Sequence, residues 1–477
     1  MVGVGIMTKI GLEIHCQLTK LESKLFCPCK ADYREFEPNT NVCPICLGIP
    51  GSLPLLNKKA VEKATLIAMA LDCKTPEKIA FFRKSYFYPD LPKNFQITQL
   101  NADGYGNRSI GWGGKVTIDN KEIRIRRIQL EEDPGRLIYE GATERTKITL
   151  VDYNRAGTPL VEIVTEPDFE NPHQVRNFLN ILSDLIENLG VSDPGLDGAM
   201  RADANVSIEG GSKVEIKNIG SFHDLEKAVH FEITRQQSLA EREIEIMQET
   251  RHWDDKRKIT VSARTKEEEE EYRYHLEADI PWVNISNNVK NQLQIQMPEN
   301  ISSKKERYVS KYNIAPQVAD ILASDKYFSD LFENANNETD AKDIANMITT
   351  DLMGLVDTRE KREQSKLEPK HLADLIECIK LNKITRTSAK LALEKIVKTG
   401  KALPQIIEEF DLGHVSDKST LEGIIGEVLK QETKAVEESK QNPEILNYLV
   451  GKVMQKTQGK ADPELTLALL KKNLGID

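Results

Sequence analysis

Apolar residues recur at every second position, in short runs broken by Gly, Pro and Asn, over roughly the first 235 residues of this 477-residue chain; beyond about Pro298 they recur at helical spacing. Period two lays one face of a strand on a core, and period 3.6 lays one stripe of a helix there. One fold class therefore cannot serve both halves. The first half reads as strands with helical interruptions at about Asn171–Leu189 and Asp224–Glu249. A charged linker with the run Glu267–Glu271 follows, and five consecutive glutamates read as a solvated face. Residues 303–477 carry few strand signals, many Lys, Glu, Leu and Ile, and helix stops such as Asp411–Gly413 and Thr457–Gly459. The firmest boundary falls near residue 295, and a helical C-terminal domain starts near residue 328. The length allows about three domains, and no repeat of solenoid period is present.

With 39% hydrophobic and 29% charged residues, collagen, disulfide-miniprotein and wholly disordered classes are excluded. The apolar stretch Ala64–Leu71 is among the longest, far short of the ~20 residues a membrane helix needs. A formal charge of −10 argues against sequence-blind nucleic-acid binding over the whole surface and leaves room for a local basic patch. The segment Met1–Met7 has no basic region leading into an apolar one, so the expected compartment is the cytoplasm.

Four of the seven cysteines sit as Cys27-Pro-Cys29 and Cys43-Pro-Ile-Cys46. Two close pairs can wrap one tetrahedral ion, each giving two thiolates from a tight turn. A set of buried thiols is the alternative. With all four positions filled by protein no open site remains, so the ion expected at this knuckle, residues 27–46, is structural Zn²⁺.

In Lys9–Leu18, Leu12, Ile14 and Cys16 share one strand face while Glu13, His15 and Gln17 share the other. Glu13 and His15 thus point the same way, about 7 Å apart. Arg201–Ile208 repeats the theme with Asp203, Asn205 and Ser207; Glu209–Ser212 turns the chain, and Glu215 and Lys217 return on one face. In that register Lys217 lies nearer Asp203 than Glu215 does. A third acidic group, Glu131-Glu132-Asp133, ends a basic strand whose apolar parity shifts between Ile125 and Ile128, the mark of a bulge. Each segment alone also fits an ordinary half-exposed strand or surface charge. Together Glu13, His15, Glu132, Asp203 and Glu215 offer hard oxygens and one nitrogen, a set that suits Mg²⁺ better than zinc.

Phe82–Gln96 interleaves Arg83, Lys84 and Lys93 with aromatic residues including Tyr86, a composition for pairing with phosphate and stacking a base, or for a packed aromatic loop. No GxxxxGK[ST] loop, complete GxGxxG or GxSxG elbow is present.

Taken in order, Ile10–His15, Pro38–Val42, Cys46–Gly51, Arg83–Gln99, Leu130–Asp133, Asp152–Pro159, Glu162–Asp168, Arg201–Ser207, Glu215–Asn218, Glu249–Asp254, Tyr272–Tyr274 and Asn447–Lys452 resemble the B subunit of the glutamyl/aspartyl-tRNA amidotransferases. The resemblance covers essentially the whole chain, with residues 328–441 alike only in helical character. It implies a ligase: ATP phosphorylates the side-chain carboxylate of mischarged Glu-tRNA(Gln) or Asp-tRNA(Asn), and ammonia displaces the phosphate. It implies two partners, an amidase (the A subunit) supplying the ammonia and the small C subunit, together with a tail that holds tRNA. By this likeness Glu13, His15, Glu132, Asp203 and Glu215 are the Mg²⁺ and catalytic candidates, and Arg83, Lys84, Tyr86 and Lys93 those for ATP or the tRNA end. Gln129 and Pro134 stand where the family usually has His and Ala. The fold expected is α+β: a cradle of mostly antiparallel β-sheet with flanking helices over residues 1–295, a helical linker domain at 296–327 and a small all-α tail domain at 328–477. Its rivals are a non-catalytic zinc-containing tRNA-binding scaffold and an ATP-grasp-like ligase acting on a small carboxylic acid.

Overall fold

The computed structural model describes residues 7–477 apart from 103–105, 119–120, 140–147, 266–271, 337–339, 414–417, 434, 437–444, 458–460, 462 and 476–477. The Glu267–Glu271 run lies outside the described residues. The chain forms two compact units, residues 1–298 and 299–477.

One eight-stranded sheet organises the first unit. Its strands are β1 (Thr8–Gln17), β2 (Gly111–Ile118), β3 (Lys121–Glu132), β4 (Pro159–Thr165), β5 (Met200–Ile208), β6 (Val214–Lys217), β7 (Glu249–Asp254) and β8 (Ile259–Thr265). Their order is β8-β7-β6-β5-β1-β4-β3-β2. Every neighbouring pair is antiparallel except β6 and β7, so the mostly antiparallel α+β expectation holds. The alternation read in β1 is the alternation found: Ile10, Leu12, Ile14 and Cys16 are buried in one core. That core also takes the apolar residues of helices α1 (Lys58–Ala70), α2 (Pro172–Asn188) and α3 (Phe222–Glu241).

Helix α2 forms where the spacing places it. Asn171 caps it by accepting the Gln174 N–H at 3.0 Å, Pro172 opens it, and Val175, Phe178, Leu179, Leu182 and Ile186 make its buried stripe. Helix α3 is shorter than expected. It ends at Glu241, and Glu243 turns the chain at φ +56°. Ile246 then packs with Ile208 and Val214, and of the residues expected to close the helix only Glu249 joins the sheet, opening β7 opposite Val214.

The parity shift in β3 is a register shift: Val164 faces Arg127 while Thr165 faces Ile125, leaving Arg126 as the extra residue. Beyond it Ile128 and Leu130 are buried in the core, and Arg127, Gln129 and Glu131 share the opposite face.

In the second unit, residues from Tyr308 to Leu412 share one core and residues from Leu421 to Leu470 another. The division expected at 327/328 does not separate cores. Tyr308 meets the Phe332 ring at 4.9 Å and bonds Ser329 and Glu333, so the helices Ile301–Tyr312 and Pro316–Ser324 pack with Lys326–Ala335. Helix stops in the sequence mark ends of helices, not of cores. Among the described residues no helix is long and apolar enough to cross a membrane.

Candidate catalytic face and metal centre

The face of the sheet turned away from the helices carries most of the candidate residues. Antiparallel register sets His15 opposite Arg201 on β5 and Glu162 on β4, with Gln129 of β3 beyond Glu162. Two residues back along β1, Glu13 stands opposite Asp203. Directly opposed residues share a face, so neighbouring strands contribute to one polar surface.

His15 is its hub. Its Nε2 lies 3.7 Å from Glu13, 3.8 Å from Glu131 and 3.9 Å from Glu162. These separations exceed a hydrogen bond. They fall between the ~3 Å of adjacent ligands and the ~4.2 Å of opposite ligands around an octahedral ion with bonds near 2.1 Å. Glu13, His15 and Glu162 can present one ligand atom each to a common ion, and Glu131 flanks them. Burial raises the Glu131 pKa to about 7, the neighbouring Glu162 charge adds to the rise, and His15, Lys84 and the Thr98 hydroxyl oppose it. Arg127 donates to Glu162 at 3.0 Å and offsets part of its charge; with three carboxylates around one imidazole and one carboxyl protonated near neutrality, the site still gains from a cation.

The expected metal set is thus reorganised. Glu13 and His15 meet as expected. Glu132 does not join them: its carboxylate takes the Lys93 ammonium and accepts the Ile97 N–H at 2.8 Å. Strand alternation sends adjacent glutamates to opposite faces, and Glu131 is the one aimed at His15. Asp203 and Glu215 lie on the polar face, but Lys217 stands between them, 3.4 Å from Asp203 and 3.3 Å from Glu215. Glu215 also accepts from Thr250 at 3.0 Å. Burial alone would depress the Lys217 pKa; Asp203, Glu215 and Glu13 outweigh it and hold it above the usual lysine range. This ammonium fills the place that co-ligation by the two carboxylates would need.

The basic–aromatic segment divides in the same way. On the strand Phe82–Ser85, Arg83 and Lys84 are neighbours and face opposite ways. Arg83 forks onto Glu277 at 2.7 and 2.9 Å and reaches Asp279 at 3.1 Å. It lines a cavity of about 270 Å³ with Lys93, Glu132, Cys27 and Cys46. Lys84 turns instead toward the polar face, its ammonium 4.5 Å from the Tyr272 ring and 5.5 Å from Tyr86. No carboxylate forms an ion pair with it among the described residues. Tyr86, Tyr272 and Tyr274 stack edge to face at 5.8 and 5.9 Å. Burial and the nearby Glu131 raise the phenol pKa values of Tyr86 and Tyr274.

The four cysteines converge. Their sulfurs all lie within 4.8 Å of one another, and those of Cys43 and Cys46 are 3.8 Å apart. That equals the ~3.8 Å edge of a tetrahedron with Zn–S bonds near 2.3 Å. The donor set fits zinc.

Glu131, Glu162 and Asp133 are the residues the sequence reading did not select. Glu162 left a signal: it is the one acid in the apolar run Pro159–Thr165 of a central strand. Asp133, fully buried, accepts from Gln17 at 2.7 Å and Arg201 at 3.1 Å; burial pushes its pKa up, and the Arg201 and Arg155 charges outweigh that and hold it below the usual range.

Residues 8–291 match the family model described as the GatB/GatE catalytic domain, and residues 330–474 match the GatB domain. The chain is 45% identical over 473 residues to a Saccharolobus solfataricus protein named as the B subunit of aspartyl/glutamyl-tRNA(Asn/Gln) amidotransferase, covering 98% of this chain and 100% of that one. Proteins of the same name from Methanospirillum hungatei and Thermotoga maritima are 42% and 40% identical, each over 98% of both chains.

Proposed function

Because this chain belongs to the family of aspartyl/glutamyl-tRNA(Asn/Gln) amidotransferase B subunits, we propose that it carries out the ATP-dependent amidation of Glu-tRNA(Gln), Asp-tRNA(Asn) or both in the cytoplasm. The observation that carries this reading is the ring of Glu13, Glu131 and Glu162 around His15 on an otherwise well-packed sheet. A scaffold that only binds tRNA has no use for it. Burying like charges is costly unless a cation or a reaction repays the cost.

A carboxylate is a poor acyl electrophile, and phosphorylating it supplies a leaving group for ammonia. Glu13, His15 and Glu162, with Glu131, would hold Mg²⁺, whose charge when bound offsets that of nucleotide phosphates. Lys84, which forms no carboxylate ion pair among the described residues and whose charge reaches Glu131, is the cation available to the transferring phosphoryl group. Tyr86, Tyr272 and Tyr274 give an aromatic wall against which a base can stack. Asp203 and Glu215 act through Lys217, fixing a positive charge beside Glu13. Arg83 and Lys93 shape the neighbouring cavity, because Glu277 and Glu132 already hold them. The cysteine centre would hold structural Zn²⁺. Ammonia would come from the amidase A subunit, with the small C subunit completing the heterotrimer and the helical tail holding tRNA.

The test is amide formation on each mischarged tRNA by the chain purified with its amidase and small-subunit partners, given ATP, Mg²⁺ and glutamine. Amidation should require ATP and disappear in Glu13→Ala and Glu162→Gln. Amidation that survives both substitutions overturns the site. Binding of tRNA with no ATP consumption would favour the scaffold, and activity on a free carboxylic acid the small-molecule ligase.

A further inference from the structure

Lys24 has no exposed surface. Its ammonium donates to the Asn41 carbonyl at 2.9 Å and lies 3.8 Å from the Cys46 sulfur. No carboxylate forms an ion pair with it among the described residues. A buried ammonium needs a negative partner, and the thiolate cluster is what the structure places there. Four thiolates on a divalent cation carry a net charge of −2, so cation and centre each lack what the other has.

The backbone ties the two together as well. The Lys24 N–H donates to the Cys29 carbonyl at 2.8 Å, and Ser23 bridges to Lys30. Asn41, between the cysteine pairs, accepts the Lys30 N–H at 3.2 Å and returns a bond to the Lys30 carbonyl at 2.9 Å. The Cys46 sulfur also accepts the Cys43 N–H at 3.1 Å. Cys46 is thus supported from one side by its own turn and from the other by a fixed positive charge. Gly157 borders this corner in the left-handed conformation that favours glycine, φ +85°, with room for a Cβ in ordinary contact with Lys24 and Cys46 at 3.6 Å.

We propose that Lys24 is the charge-compensating, positioning residue of the Cys27–Cys29–Cys43–Cys46 centre, holding Cys46 as a metal-bound thiolate and slowing loss of the ion. This rests on the zinc reading of the four cysteines, and the experiment separates the two. The full chain is loaded with Co²⁺, and its sulfur-to-cobalt charge-transfer band is recorded for wild type, Lys24→Met and Lys24→Arg; zinc release to a chromogenic chelator is timed on the zinc-loaded forms. Removing a neighbouring cation makes a thiolate easier to oxidise. The band should therefore move to longer wavelength in Lys24→Met and stay in place in Lys24→Arg. Zinc should leave the methionine variant roughly 10-fold faster, the lower end of what outer-shell changes do to metal affinity. A simple packing defect would speed release without moving the band, and that result overturns the charge-compensating role.

Wild-type chain that takes up neither ion overturns the zinc reading. Wild type with a tetrathiolate spectrum, and a folded Lys24→Met identical to it in band and release, overturns the role of Lys24 alone. Should the methionine variant not fold, lysine acetylation of the wild-type chain decides. Lys24 should be protected in the zinc-loaded protein and modified after chelation, and equal labelling in both states overturns the proposal.

Discussion

A proton held by Glu131 near neutrality has consequences that can be counted. Its carboxyl pKa is raised from an ordinary 4.5 to about 7, a displacement on the order of 3 kcal/mol. Between those two values the folded chain binds more protons than the unfolded one. The metal-free protein should therefore be fully stabilised by this group below about pH 4.5 and lose that stability as the pH rises through about 7. A divalent cation at His15 replaces the proton. At a pKa of about 7, cation binding should release about 0.9 proton from Glu131 at pH 6, about 0.5 at pH 7 and about 0.1 at pH 8. Calorimetric titration of the full chain with Mg²⁺ or Mn²⁺, in buffers of different ionisation enthalpy, counts those protons. Glu131→Gln removes the contribution and keeps the shape of the side chain, so the wild-type minus variant difference isolates it from His15. Below pH 7 the wild-type affinity should rise about tenfold per pH unit from this group alone. A difference that stays flat with pH, or no cation binding at all, would refute the assignment of Glu131 to the site.

Glu132→Gln should leave cation binding unchanged and cost about 3 kcal/mol in urea denaturation, because it strands the largely buried Lys93 ammonium; lost cation binding would return Glu132 to the metal set. Lys84→Met should raise the ATP KM or lower kcat by about tenfold or more in the amidation assay, whereas Arg83→Met should act mainly on stability by releasing buried Glu277. Equal kinetic losses in the two variants would contradict the opposite facing of these neighbours. Asn171→Ala should cost about 1 kcal/mol of α2 stability, read as faster amide hydrogen exchange in the first turn of that helix. Unchanged exchange there would mean that packing alone fixes the helix start.

What the sequence made legible followed the period of the side chains. Alternation in Lys9–Leu18 put Glu13 beside His15 correctly, because a central strand packed on one face leaves no other register. The same rule, applied past the Arg126 bulge, selects Glu131 over Glu132: Ile128 and Leu130 define the core face, and Glu131 falls on the other. The shift in apolar parity was visible, yet which way it turns the acids emerges only when β4 fixes the pairing. Glu162 shows a different limit. One acid inside an apolar run gives no partner in sequence, and its meaning appears when β1 and β4 set it against His15. The same holds for Arg83 and Lys84, which composition groups as one basic patch and a strand divides between two sites. Lys217 shows the converse: its closeness to Asp203 was readable from the hairpin, and the consequence is that two carboxylates of the polar face already have their cation. The site is therefore a set of acids sorted by the partners that strand pairing gives them: Glu132, Asp203 and Glu215 keep an internal lysine, while Glu13, Glu131 and Glu162 face His15, Glu162 sharing its charge with Arg127 at 3.0 Å.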